Sequence, residues 1–416
     1  MAQLSADADA FGPMLTIEQA GEHAAERIAA VTGVETIQLA AADGRVLAAD
    51  VIAPLDLPPF ANSAVDGYAV RFADLAAGVT QLPLSGRVAA GVDAAGVATA
   101  GMAVRVFTGA PMPEGADTVF MQEDVALNAG AVILPPGLRH GANARPAGED
   151  LPSGQIALAA GRRLRPQDLA LLAALGLTQV TVRRRVRVAI FSTGDELNEP
   201  GTALPPAGIY DANRTLLRAL VARAGAEIVD LGILKDEPAS LAAKLSEAAA
   251  NCDLILTSGG VSTGEEDHVK AAVERAGELA FWRVAIKPGR PVAMGLVAGT
   301  PFIGLPGNPV AVFVTFAFIA RTVIALLSGT TSSRLHGLPV RLGFPYKKKA
   351  ARREYVRVSL DPGLDGIAVA RKHPRDGAGV LTSLTETDGL VELADELTNV
   401  AEGTIVPFLA YEMLTG

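Results

Sequence analysis

Several short stretches of this chain combine glycine, hydroxyl and charged residues at spacings that suit anion binding. The densest is SGGVSTGEED at 258–267. An apolar run, CDLILTSGG, feeds into Gly259 and Gly260, and Ser262, Thr263 and Gly264 follow before a helical pattern opens at Glu265. Glycine lets backbone approach a ligand closely. A helix that follows offers free N–H groups and the positive end of its dipole. The same letters also make an ordinary tight turn with capping Ser and Thr; placement after a predicted parallel strand favours the ligand. FSTGDEL at 191–197 also follows a strand. There Ser192, Thr193 and Gly194 can contact a ligand, while Asp195 and Glu196 stand where a carboxylate holds a ribose hydroxyl or a metal. A helix N-cap box explains those letters equally well.

Cations come next. In FWRVAIKPGRP, Lys287 and Arg290 flank a Pro-Gly turn at a strand end, so a rigid turn aims two positive charges at one point. That suits an oxyanion; either residue alone reads as a solvated surface charge. In GLPGNPVA at 304–311 a strand ends in Pro306-Gly307, and Asn308-Pro309 opens a long helix. Its N-terminus is a further anion site or merely a cap and turn. Asn62, Ser63 and Asp66 in PPFANSAVDGYAV make a polar loop that alone reads as an ordinary turn. FTGAPMPEGAD (107–117) and RPAGEDL (145–151) lie in or beside the same region. Asp236 follows one predicted strand and Asp267 the glycine turn. If both strands end at one sheet edge, these carboxylates converge as hard oxygen ligands for Mg²⁺ beside substrate phosphates; otherwise they are two solvated acids.

The elements that position these groups are legible in the periodicity. Residues 1–14 read as a tail and Ile17–Ala30 as a helix. Residues 15–50 with 146–180 form a mixed, discontinuous linker domain that holds a helix at 165–176. Short alternating runs with frequent turn signals over 51–145 predict a β-rich insert. From 181 to 331 strands and helices alternate: strands at 186–193, 226–234 and 252–260, helices at 214–225, 238–250 and 265–277, then strands at 279–286, 292–297 and 302–305. This predicts a doubly wound, mostly parallel α/β domain with helices on both faces, whose ligands bind at the carboxyl ends of the strands. Alternating runs over 332–416 predict a C-terminal β-barrel-like domain.

A chain of 416 residues exceeds one core, so several domains are expected. The net charge of −9 argues against a nucleic-acid partner and requires any positive charge to be concentrated in a cleft. The one cysteine, Cys252, supports neither a disulfide framework nor a structural zinc, and reads as a small buried residue of a reducing compartment. The N-terminus lacks an apolar run and does not read as a signal peptide. The apolar segment 310–327 is interrupted by Arg321 and headed by Asn308-Pro309, so a buried core helix is expected rather than a membrane span. Together these predict a cytoplasmic protein without a membrane partner.

Taken in order, NSAVDGYA, FTGAP, GED, FSTGDEL, YDANR, SGGVSTGEED, FWRVAIKPGRP and GLPGNPV resemble the molybdopterin molybdenumtransferase family, which includes the related domains of a plant cofactor enzyme and of gephyrin. The resemblance spans about 15–410. It implies the four-region architecture above and a homodimer with its cleft between subunits. It also implies a reaction: Mg²⁺-dependent cleavage of adenylylated molybdopterin, release of AMP and transfer of molybdenum from molybdate to the dithiolene. By motif position it makes Asp66, Thr108, Asp150 and Glu196 polar cleft residues, Asp236 and Asp267 metal-side acids, and Lys287, Arg290 and Arg357 molybdate-side cations. Ser192, Thr193, Gly259, Gly260, Ser262, Gly264, Arg283, Pro306 and Asn308 join them as substrate-binding residues. Related sequences often carry Lys where Arg283 and Arg290 stand, and Ser where Ala378 stands near molybdate.

The resemblance further implies transient contact with the adenylyltransferase and with molybdoenzymes or their chaperones. Two other functions remain as alternatives. A gephyrin-like peptide-binding scaffold would be expected to carry an appended partner domain or long linker, and nothing in these residues resembles either. The preceding adenylyl-transfer step belongs to a related α/β fold expected to stand alone.

Overall fold

The structure is a computed structural model that describes residues 14–75, 78–235, 237–260, 268–330 and 335–415. The chain divides into two compact units. One comprises Met1–Glu35, Gly44–Val46 and Val182–Gly416, the other Thr36–Asp43 and Leu47–Thr181.

The smaller unit is built on a six-stranded sheet. Its strands are β1 (Gly67–Val70), β2 (Gln81–Val88), β3 (Ala103–Val106), β4 (Thr118–Met121), β5 (Ala126–Asn128) and β6 (Ala131–Ile133), in the order β4-β1-β3-β2-β6-β5. Alternation decides its packing. Tyr68, Val70 and Phe120 enter one apolar cluster, while Ala69, Val104 and Val119 enter another on the opposite face. The remainder of this unit holds a helix, Pro166–Ala174, that opens on proline and on the buried carboxylate of Asp168, which accepts from the Arg165 backbone N–H at 3.0 Å.

The larger unit begins at helix α1 (Ile17–Arg27), whose N-cap Thr16 and Gln19 form a capping box. Its centre is a second six-stranded sheet: β7 (Arg187–Thr193), β8 (Glu227–Leu234), β9 (Leu254–Ser258), β10 (Gly277–Arg283), β12 (Pro291–Val297) and β13 (Thr300–Leu305). Between β10 and β12 lies the two-residue β11 (Ile286–Lys287). The order is β8-β7-β9-β13-β12-β10; the first four strands run parallel, and the last two pair antiparallel. The expectation of a mostly parallel sheet therefore holds, with an antiparallel edge.

Both faces of this sheet are covered. Val188, Ile190, Leu254 and Leu256 enter one core with the helix Ala212–Arg223 and the segment Pro309–Leu327; Ala189, Phe191 and Ile255 enter the other with the helices Pro238–Asn251 and His268–Ala276. Every residue of β9 is buried, the mark of a central strand covered on both sides. The Pro309–Leu327 segment is apolar and long enough to cross a membrane by composition, but most of it is buried inside the protein. Its Arg321 guanidinium donates to the Met413 carbonyl at 2.6 Å. It is the core helix that Arg321 and the Asn308-Pro309 start foretell.

After this helix β14 (Leu338–Leu342), β15 (Arg353–Asp361), β16 (Val369–Lys372), β17 (Gly389–Leu393) and β18 (Ile405–Ala410) close into a five-stranded barrel, β15-β16-β14-β18-β17 and back to β15. Val340, Val356, Val358 and Phe408 fill it. The short β11 joins the barrel by pairing parallel with β15, Ile286 opposite Arg353 and Lys287 opposite Glu354. That pairing carries Lys287 from the α/β sheet to the barrel wall.

Candidate active site

Three strand ends meet at the carboxyl edge of the parallel sheet. β7 ends in Ser192 and Thr193, both buried. β9 ends in Ser258 and runs into Gly259 and Gly260, and β13 ends in Leu305 before Pro306-Gly307-Asn308. The Gly259 N–H donates to the Leu305 carbonyl at 3.1 Å. Asn213, at the start of its helix, donates to the Ser258 hydroxyl at 2.8 Å and to the Gly307 carbonyl at 2.7 Å. The glycines are required by space: a Cβ on Gly259 would lie 2.6 Å from the Thr193 carbonyl oxygen, and one on Gly260 2.3 Å from Val269 Cγ2 and 2.8 Å from Thr193 Cγ2. Both also have positive φ.

This edge carries unmet polar groups. The hydroxyls of Ser192, Thr193 and Thr257 are buried and have no hydrogen-bond partner among the described residues. Most buried polar groups are satisfied, and an orphan costs roughly 1–3 kcal/mol. Glu196 is exposed, and its carboxylate folds back over Gly194, where a Cβ would lie 2.7 Å from Oε2. No helix starts at Asp195; Leu197–Asn198 instead pairs with Ile209–Tyr210. The helix-cap reading of FSTGDEL therefore gives way. Ser262, Gly264, Asp236 and Asp267 lie outside the described residues.

Beside this edge is a cavity of about 290 Å³. Pro306 and Asn308 line it from the β13 turn, Lys287 and Gly289 from the cis Lys287-Pro288 turn, and Glu354 and Arg357 from barrel strand β15. The Glu354 carboxylate is almost wholly buried. It accepts from Lys287 Nζ at 3.0 Å, the Tyr346 hydroxyl at 3.0 Å and Arg352 Nη2 at 2.5 Å. Burial pushes its pKa up, but the Arg352 and Lys287 bonds prevail and hold it below the usual carboxylate range. The same burial, with the Glu354 charge beside it, drives the Tyr346 hydroxyl upward, so it stays a donor.

Arg357 is buried and fixed by the carbonyls of Gly377 and Asp376 at 2.9 and 2.8 Å and by the Ser383 hydroxyl at 2.8 Å. Its first neighbours are thus neutral acceptors, and burial lowers its pKa from the ordinary value. Lys372 Nζ pairs with Asp376 at 2.7 Å. Counting lining residues and the groups bonded to their carboxylates, Lys287, Arg352, Arg357 and Lys372 stand against Glu354 and Asp376. In the lining itself Lys287 and Arg357 balance Glu354 and Asp376, and Arg352 and Lys372 offset those carboxylates from outside it, which favours an anion over a cation.

Of the cations expected at the KPGRP turn, Lys287 lines the cavity; Arg290 is exposed and is not among its lining residues. Arg283 is half-buried near the end of β10, and its carbonyl accepts from Leu15 N–H at 3.2 Å. Ala378 lines the cavity, and its carbonyl accepts from the Val310 N–H at 3.0 Å. The expected list omits Glu354, Tyr346, Arg352 and Asn213. A signal for Glu354 exists in REYVRVSL, where a carboxylate falls in the apolar phase of an alternating strand with Val356 and Val358.

The smaller unit holds the other expected residues. Asp66, half-buried in the loop before β1, accepts at one oxygen, Oδ1, from both the backbone N–H and the hydroxyl of Thr108, each at 2.8 Å. Those bonds, the backbone one first, hold its pKa below the usual range. Asp150 is exposed; its N–H donates to the Leu57 carbonyl at 2.9 Å.

Three family models match the chain in order: the MoeA N-terminal region (domain I and II) over 15–176, a probable molybdopterin binding domain over 189–326, and the MoeA C-terminal region (domain IV) over 339–411. A molybdopterin molybdenumtransferase of Haemophilus influenzae is 36% identical over 405 residues, 97% of this chain and 100% of its own. One from a Nostoc species is 40% identical over 71% of this chain and 70% of its own. In structure the chain is similar to the crystal structure of a molybdopterin biosynthesis MoeA protein from Pyrococcus horikoshii OT3, with TM-score 0.81, 29% identity, and 96% and 100% of the two chains covered. With eight motifs in order, the α/β sheet and barrel found in the fold, and a relative aligned over 97% of the chain, this protein belongs to the MoeA family of molybdopterin molybdenumtransferases.

Proposed function

We propose that the sheet edge and the adjoining cavity bind adenylylated molybdopterin and molybdate side by side. The chain is a transferase of molybdenum-cofactor biosynthesis that inserts molybdenum into molybdopterin. The finer chemistry is our reading of its residues. One observation carries it: the glycine-closed strand ends adjoin, through Pro306 and Asn308, a cavity whose wall holds Lys287 and the buried Arg357. The hydroxyls of Ser192 and Thr193, Gly259 and Gly260, with Ser262 and Gly264, take the pterin pyrophosphate. Lys287 and Arg357 take the molybdate dianion, with Pro306 and Asn308 shaping the wall between. Arg283 and Arg290 add positive charge along the approach, and Asp66, Thr108, Asp150 and Glu196 contribute polar contacts to the nucleotide.

The reaction releases AMP when a water oxygen bonds to phosphorus and the bridging phosphoanhydride bond breaks. Residues that hold both anions in place lower the entropic part of that barrier, and cations beside the developing charge stabilise it. Mg²⁺, held by Asp236 and Asp267, would neutralise pyrophosphate charge; the described donors at this edge, Glu196 and the orphan hydroxyls, are hard oxygen groups of the kind that ion takes. We place the work in the cytoplasm and in a homodimer. We also divide the chain into a linker (15–50 and 146–180), an insert (51–145), an α/β domain (181–331) and a barrel domain (332–416).

The test is incubation of purified protein with adenylylated molybdopterin, molybdate and Mg²⁺, with assay of AMP and of active cofactor. Lys287→Ala should raise the molybdate concentration needed for half-maximal transfer. An unchanged requirement removes Lys287 from the oxyanion site.

A further inference from the structure

The face of the insert sheet beside Asp66 carries an arrangement that the roles above leave unused. Tyr68 is in register with Arg105 across β1 and β3, and Arg105 is in register with Arg87 across β3 and β2. Side chains directly opposite share a face, and like charges so placed destabilise a sheet. Here two guanidiniums stand side by side. Phe107, just past the end of β3, holds both: Arg87 Cζ lies 4.5 Å and Arg105 Cζ 4.9 Å from its ring centroid, and Arg105 lies 5.0 Å from that of Tyr68. Arg105 is fixed by the Gln122 side-chain oxygen and, at 3.5 Å, by the Gly67 carbonyl, both neutral. Neither arginine forms an ion pair with a carboxylate among the described residues. Asp66 accepts both Thr108 bonds at Oδ1, and Oδ2 has no hydrogen-bond partner among the described residues.

We propose that this face binds a phosphorylated planar heterocycle. The guanidiniums take the phosphate through paired N–H donors. Phe107 and the exposed face of Arg87 stack the ring, and Asp66 Oδ2 accepts a ring N–H or exocyclic amino hydrogen. The proposal rests on the reading above, whose substrate carries two such heterocycles, and adds Arg87, Arg105 and Phe107 to its binding residues. It also explains a like-charge pair that a merely structural face would avoid.

The full chain is titrated calorimetrically with AMP, which has ring and phosphate, and with inorganic pyrophosphate, which has no ring. Arg87→Ala, at an exposed position, should weaken AMP about tenfold, equivalent to about 1.4 kcal/mol. Arg87→Lys should restore pyrophosphate binding better than AMP binding, because ammonium keeps the charge and loses the stacking plane. Phe107→Leu should weaken AMP and leave pyrophosphate unmoved. An Arg87→Ala isotherm for AMP that superimposes on wild type overturns the proposal, as does a wild type that takes no AMP at millimolar concentration. With adenylylated molybdopterin, Arg87→Ala should raise KM more than it lowers kcat and leave the molybdate requirement in place. If AMP binds through Arg87 but adenylylated molybdopterin is not turned over, the subsite stands and the assigned reaction falls. Turnover with an unmoved KM in Arg87→Ala has the opposite meaning.

Discussion

Glu354 and Asp66 are both carboxylates with depressed pKa, yet they reach that state by different physics. Glu354 is buried at the barrel wall, where desolvation opposes its charge and Arg352 and Lys287 overcome that opposition. Asp66 is only partly buried and is held by a backbone N–H and a hydroxyl, with little desolvation to overcome. The first binds its charge into the fold. The second keeps a charged oxygen in water and available to a ligand. A buried ion pair is poor evidence of net stability but costly to break, whereas a carboxylate that is only partly buried can be removed with little structural consequence.

The largest effect expected from this contrast is Glu354→Ala. Removing the carboxylate leaves Arg352 and Lys287 without the partner they share. About 3 kcal/mol of stability should be lost, toward the low end for a broken buried pair because Lys287 is half exposed. Asp66→Ala should leave the unfolding midpoint nearly unmoved. Denaturant titration of both variants checks this, and comparable losses in the two would erase the distinction.

The glycines give a smaller, sharper comparison. Gly260 at the α/β edge and Gly109 in the insert both have positive φ, +65° and +79°. An alanine at either carries the left-handed penalty of roughly 1–2 kcal/mol. At Gly109 the nearest neighbour of the added Cβ is Ala90 Cβ at 3.9 Å, ordinary contact, whereas at Gly260 it would meet Val269 Cγ2 at 2.3 Å. Overpacking should therefore make Gly260→Ala about 2 kcal/mol worse than Gly109→Ala in unfolding experiments. Equal losses would mean that the Gly260 turn can move, which would undo the argument that it is closed around Thr193.

How far these features are legible in sequence follows the same division. β9 and its neighbours are readable because a covered parallel strand is continuously apolar and ends in glycine. The Pro309–Leu327 helix is readable as core because Arg321 interrupts it and Asn308-Pro309 starts it. Lys287 is readable as a site cation from the KPGRP turn, but Arg290 is not separable from it: the pairing of β11 with β15 brings Lys287 to the cavity, and Arg290 is not among its lining residues. Glu354, Tyr346 and Arg352 lie more than 50 residues further along the chain than Lys287. Their meeting is a property of barrel closure, which no local pattern encodes. Phe107 and Arg87 become a pair only through the β3–β2 register.

The smallest effect tests Asp66 directly. Thr108→Val removes the hydroxyl donor and keeps the backbone one, so the Asp66 pKa should rise part of the way toward the ordinary value of about 3.9. Because the folded pKa is depressed, the stabilising contribution of this carboxylate is complete above the unfolded value and is lost as pH falls through the folded one. In the variant that loss, and the loss of a charged Oδ2 for ligand, should begin at higher pH than in wild type. Carboxyl-carbon NMR titration of Asp66 reads the shift without depending on activity. Glu354 in the same spectra should not move, since none of its partners has changed. An Asp66 pKa indifferent to the loss of the hydroxyl would leave the backbone N–H, with the nearby Arg105 charge, as the source of its depression. The insert site would then be set by chain geometry rather than by the side chain at 108.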